Sequence, residues 1–164
     1  MSDKIYNVLF LCTHNSARSI LSEGLLNQMG EGRFRAYSAG SFPSGTVNPF
    51  ALQTLQKLGC DTTGLRSKSW DEFAGADAPG MDFIFTVCDN AAGEICPVWP
   101  GHPMTAHWGF ADPSATEGDD AAKLAAFAHT AQLITARLRL FTRLPFGSLD
   151  HPALLAAVRE LGEH

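Results

Sequence analysis

The sequence predicts an open, mostly parallel four-stranded α/β sheet with helices on both faces. Three observations predict it. Residues 5–11, IYNVLFL, are a near-continuous apolar run with β-branched and aromatic members, the pattern of a central strand covered on both sides. Residues 119–144 are rich in alanine and place Leu124, Phe127, Ala131, Ile134, Leu138 and Phe141 near helical spacing. Along the chain the segments read strand, helix, strand, helix, strand, strand, helix, the order of an open α/β sheet. At 164 residues the chain suits a single domain spanning 1–164, with no internal repeat, linker or low-complexity segment.

Each element has its own signal. After the first strand, SARSILSEGLLNQMG puts Ile20, Leu21, Leu25, Leu26 and Met29 on a helical spacing, with Gly30 to stop the helix. Residues 33–39, RFRAYSA, alternate and form the second strand, ending at Gly40. The loop SFPSGTVNP leads into a helix over 49–58, stopped by Gly59. MDFIFTV at 81–87 is the third strand. A long loop with Cys88, Cys96, Pro97, Pro100 and Pro103 follows, and MTAHWGF at 104–110 holds a short fourth strand. Asp119 and Asp120 open the long helix, where carboxylates favour an N-terminus. A last helix covers about 152–161.

Composition excludes several classes of function. The formal net charge is −5 and no basic stripe occurs, so neither nucleic acid nor an anionic membrane is expected as a partner. No apolar run reaches the ~18 residues of a membrane span. The apolar N-terminal run leads straight into a Cys/Arg cluster that a cleaved signal peptide would discard. None is therefore expected, and the location expected is cytoplasmic. In that compartment Cys12, Cys60, Cys88 and Cys96 stay mostly reduced, which leaves metal binding, redox chemistry or burial as their roles. Cys60, in KLGCDTTG, reads as structural. Cys88, Cys96, His102 and His107 could supply four metal ligands, but no tight Cys-x-x-Cys knuckle is present, so neither a metal nor a cofactor is expected.

Open α/β sheets bind ligands outside the carboxyl ends of their strands. That rule points to the loops after the first and third strands, which hold Cys12, Cys88 and Cys96. In the first loop, Cys12-Thr13-His14-Asn15-Ser16-Ala17-Arg18-Ser19, the backbone N–H groups at the start of a helix lack helical partners and the helix dipole adds positive charge, which makes an anion site. Ser16 and Ala17 are small enough for the backbone to wrap closely. Arg18 offers a planar fork of donors to a tetrahedral oxyanion. Cys12 lies in the same field, which favours its thiolate and so a nucleophile. Ser19 can donate to that sulfur, and Asn15 can brace the loop. Asp112, held before Pro113, is the candidate general acid.

Cys12 to Ser19 together with Asp112-Pro113 and Ser38-Ala39-Gly40 resembles the low-molecular-weight protein tyrosine phosphatase superfamily across essentially the whole chain. The stretch FTVCDNAAGEICPVWPG, followed by HWGFADP, resembles the arsenate reductases of that fold more than the phosphatases. The resemblance implies that Cys12 attacks arsenate, that Thr13 to Ser19 hold its oxygens, and that Asp112 protonates the leaving oxygen. Cys88 then attacks Cys12, arsenite leaves, and Cys96 closes a disulfide with Cys88. Thioredoxin, or glutathione with glutaredoxin, would open that disulfide. Seven residues separate Cys88 from Cys96. The extended span of about 26 Å must fold back to the roughly 4.4–6.8 Å between Cα atoms that a disulfide needs.

Some positions depart from the pattern. Ala17 stands where many relatives carry a second loop cysteine, His14 stands where glycine is common, and the Cys88–Cys96 spacing is one residue longer than in thioredoxin-coupled reductases. Ser114-Ala115 follows the Asp-Pro where phosphotyrosine hydrolases usually show tyrosine. Two other functions use the same loop: a phosphatase acting on phosphotyrosine or small phosphoesters, and a non-enzymatic oxyanion-binding regulator.

Overall fold

The computed structural model describes residues 5–30, 32–73, 78–87 and 103–162. Strands β1 (Tyr6–Leu11), β2 (Phe34–Ala39), β3 (Phe83–Thr86) and β4 (Met104–His107) form one sheet in the order β2-β1-β3-β4, and every pair is parallel. Among the described residues the helices are α1 (Arg18–Met29), α2 (Pro49–Lys57), α3 (Asp120–Thr142) and α4 (His151–Leu161). Two short 3-10 helices, Trp70–Phe73 and Pro113–Ala115, interrupt the connections. Among the described residues, no helix is long and apolar enough to cross a membrane.

β1 occupies the interior of the sheet, which explains its unbroken apolar run. Side chains alternate across a strand, so its two sets face opposite sides. Val8 and Phe10 join the larger core with Phe34, Phe83, Phe85 and residues of α1, α2, α3 and α4. Leu9 and Leu11 face the other way and pack with Ala39, Ile84, Met81 and Phe73 of the first 3-10 helix. Trp108 fixes α4 to this core. Its ring stacks on Phe85 at 3.8 Å and its Nε1 donates to the carbonyl of Val158 at 2.9 Å.

Three helices start on side-chain caps. Asn48 accepts from the N–H of Phe50, Asp119 from Ala122 and Asp150 from Ala153. α1 is different: its cap position is Ala17, which offers no side-chain acceptor. It begins at Arg18, because Asn15 is left-handed (φ 47°) and the backbone at Ala17 is not helical. The short fourth strand lies within 104–110, as expected. It ends at His107, and Asp112 then caps the second 3-10 helix by accepting from the N–H of Ser114.

Candidate active site

The loop after β1 is built from outside in. The carbonyl of Thr13 accepts from the N–H of Phe42 at 2.9 Å, that of His14 from Ser44 at 3.1 Å, and that of Ser16 from Asn48 at 2.9 Å. Ser67 Oγ adds a second donor to the His14 carbonyl. A trans peptide points its carbonyl and its N–H in opposite directions. The N–H groups of His14, Asn15 and Ala17 are therefore turned away from the 42–48 segment. They stand beside the start of α1, where the cap residue Ala17 makes no side-chain hydrogen bond. Gly40 permits this wrapping: a Cβ there would lie 2.4 Å from the Thr13 carbonyl oxygen and 2.6 Å from that of Cys12. Only glycine fits so close an approach.

Cys12 follows β1 directly, is buried, and donates its N–H to Ala39 of β2 at 3.2 Å. Asn15 is wholly buried and acts in two directions. Its Nδ2 donates to Ser19 Oγ at 2.8 Å, and its Oδ1 accepts the N–H of Lys68 at 2.9 Å. His14 is exposed, with Nδ1 3.2 Å from the carbonyl of Phe42.

Arg18 is the first residue of α1. Its Nη1 donates to the carbonyl of Phe110 at 2.9 Å, and its Nη2 lies 3.6 Å from Asp112 Oδ2. Its Nε is buried and, among the described residues, has no hydrogen-bond partner. One end of the guanidinium is thus anchored while Nε, an obligatory donor, remains to be satisfied, which fits an incoming oxyanion. Asp112 spends Oδ1 on the N–H and Oγ of Ser114, leaving Oδ2 as the oxygen facing Arg18.

Behind the loop lies a polar cluster that the sequence reasoning missed. Glu23 of α1 is 8% exposed, accepts from Ser38 Oγ of β2, and lies 3.8 Å from Lys68 Nζ. Lys68 Nζ also donates to the carbonyl of Arg66 at 2.9 Å. Burial pushes the Glu23 carboxyl above the usual carboxylate range, partly offset by the Lys68 charge. Burial likewise pushes the Lys68 ammonium down, partly offset by Glu23. Arg66 holds Glu72 in a two-pronged ion pair. A cavity of about 560 Å³ opens over Glu23, Tyr37, Arg66, Lys68 and Glu72. The available signal was Glu23 itself, a charge placed among the apolar positions of α1.

Cys88, Cys96 and His102 lie outside the described residues. Val87, the residue before Cys88, donates its N–H to Leu11 at 2.9 Å, so β3 ends beside the strand that delivers Cys12. His107, at the end of β4, has Nδ1 2.7 Å from Thr86 Oγ1. Cys60 is elsewhere: its thiol, bonded to Gln28 Oε1 at 3.2 Å, is pushed up by burial, which disfavours the nucleophilic thiolate. Among the described residues, no group of three His, Cys, Asp or Glu is placed to hold a metal.

Residues 7–150 match the low molecular weight phosphotyrosine protein phosphatase family, and the chain belongs to that family. Within it, the chain is 35% identical over 134 residues to an arsenate reductase of Halalkalibacterium halodurans, covering 82% of this chain and 93% of the relative. It is 36% identical over 141 residues to an arsenate reductase of Bacillus subtilis, covering 86% and 96% respectively. Among solved structures, the arsenate reductase of Archaeoglobus fulgidus superposes with a TM-score of 0.58 at 27% identity, covering 79% of this chain and 96% of that one.

Proposed function

We propose that the chain is a cytoplasmic arsenate reductase that works through Cys12 and a thiol relay. One observation carries the reading: a cysteine at the end of β1, a helix start whose cap residue Ala17 offers no side-chain acceptor, and an Arg18 whose Nε has no partner among the described residues meet at one loop. That this happens in a chain whose curated relatives are arsenate reductases supports arsenate as the anion.

In the proposed mechanism the loop amides and the Nε–Nη2 edge of Arg18 hold the arsenate oxygens. The helix start favours the thiolate of Cys12. Cys12 attacks arsenic, an As–S bond forms, and an As–O bond breaks. Asp112, in its acid form, gives a proton to the departing oxygen, which leaves as water. The Cys88 thiolate then attacks the Cys12 sulfur. The As–S electron pair passes to arsenic, so As(V) becomes As(III), arsenite leaves, and two thiols become one disulfide. Cys96 attacks Cys88, frees Cys12 and leaves a Cys88–Cys96 disulfide, which a dithiol donor such as thioredoxin, or glutathione with glutaredoxin, reduces.

A second reading, phosphate ester hydrolysis, uses the same loop. Phe42, 70% exposed beside Thr13 and His14, offers an aromatic surface to an aryl ester. Arsenite formation measured with each donor system in parallel, beside para-nitrophenyl phosphate hydrolysis on the same preparation, tests the proposal. Arsenite turnover with either donor supports it and names the donor. Efficient ester hydrolysis without arsenite would replace it with the phosphatase reading.

A further inference from the structure

Two arginines meet on opposite sides of one residue. Phe110 gives its carbonyl to Arg18 Nη1 at 2.9 Å, and its ring carries the Arg137 guanidinium 4.6 Å from the centroid. Arg137 belongs to α3 and lies between Ile134 and Leu138, each 1% exposed, so helix packing fixes its stem. The Phe110 backbone has a further tether, its N–H to the Val87 carbonyl at 3.2 Å, near the long end for a hydrogen bond. The Phe110 ring also packs against the larger core, and the Arg137 guanidinium adds to the hold on it.

We propose that Arg137 is a positioning residue for the anion loop, acting through the Phe110 ring and carbonyl on the guanidinium of Arg18. The proposal rests on reading Arg18 as an oxyanion-binding residue. A guanidinium over an aromatic face is attracted to the ring quadrupole. Holding the ring holds the carbonyl that anchors Nη1, and the anchored Nη1 leaves the Nε–Nη2 edge directed at the substrate. Binding and chemistry of this kind are sensitive to displacements on the order of 1 Å. Arg137 itself need not touch the anion.

The test uses the whole chain and inorganic phosphate. The readout is the phosphate concentration that half-protects Cys12 from iodoacetamide, followed by peptide mapping, with kcat and KM for arsenate measured beside it. Arg137→Met is expected to raise the half-protecting concentration and KM by about three- to tenfold, with a smaller change in kcat. Arg137→Lys should recover part of the loss, since an ammonium also sits on an aromatic face. In a Phe110→Leu background, Arg137→Met should add less than about twofold. Phosphate protection within about twofold of the parent for Arg137→Met would overturn the proposal. So would an equal loss in the Phe110→Leu background, which would mean that the charge acts directly on the anion. If Arg137→Met does not fold, the comparison of Arg137→Lys and Arg137→Gln in both backgrounds decides in the same way. Phosphate protection needs no arsenate turnover. A normal Arg137 effect without arsenite formation would therefore sink the reductase reading and leave this one standing.

Discussion

The N–H of Lys68 donates to Asn15 Oδ1 at 2.9 Å, joining residues 53 positions apart at the back of the loop that follows β1. Asn15 spends its other end on Ser19, so one buried amide ties the loop to α1 and to the 66–69 segment. The left-handed backbone at Asn15 puts that amide where both partners reach it.

Asn15→Ala should lose both bonds and incur the left-handed cost together. Asn15→Gly loses the bonds but keeps the backbone. Stability is expected to fall by about 2–4 kcal/mol for alanine and by less for glycine, with both variants losing arsenate turnover. Urea denaturation and steady-state kinetics check this, and an active Asn15→Ala enzyme would remove the bracing role.

Arg18→Lys should damage the site although charge is kept, because a point charge cannot hold the Phe110 carbonyl and an oxyanion edge at once. The expected loss in kcat/KM is roughly a hundredfold. Kinetics close to those of the parent would contradict the role given to the guanidinium fork.

Lys68 and Glu23 make a pH prediction with a definite sign. Burial raises the Glu23 pKa above its ordinary 4.5, so its contribution to stability is full below that value and declines as pH rises through the folded pKa. Lys68→Met removes the largest opposing influence and moves the folded pKa higher. The decline should then extend further toward neutrality in a pH series of unfolding free energies. The Glu23→Gln, Lys68→Met double variant should recover much of the loss, since no charge remains buried without its partner. A pH profile unchanged by Lys68→Met would show that the pair is not coupled.

Cys88→Ser should stop arsenite formation while sparing any hydrolysis of para-nitrophenyl phosphate, because hydrolysis needs the Cys12 loop and no second thiol. Equal loss of both activities would undermine the relay.

The sheet was legible because its strands carry distinct patterns. The unbroken apolar run of β1 marks burial on both faces, and Asp119 and Pro49 mark helix starts by local chemistry. The loop was legible because Cys12, Arg18 and the small residues between them lie within one short stretch. The Glu23–Ser38–Lys68 cluster was not, since its members come from α1, β2 and a loop and meet only when the sheet is assembled. Phe110 was hidden for another reason: it serves Arg18 through its backbone carbonyl, which no residue type advertises. The short fourth strand falls within 104–110 as expected, and the apolar residues beyond it serve packing: Trp108 reaches α4 and Phe110 reaches α3.

The most direct measurement is a single turnover with fully reduced protein, arsenate in excess and no external reductant. Arsenite would be quantified and the disulfides mapped by mass spectrometry. The account predicts about one arsenite per chain, balanced by the two electrons of one disulfide joining Cys88 and Cys96. All thiols remaining reduced and no arsenite appearing, in a protein that still hydrolyses phosphate esters, would contradict it.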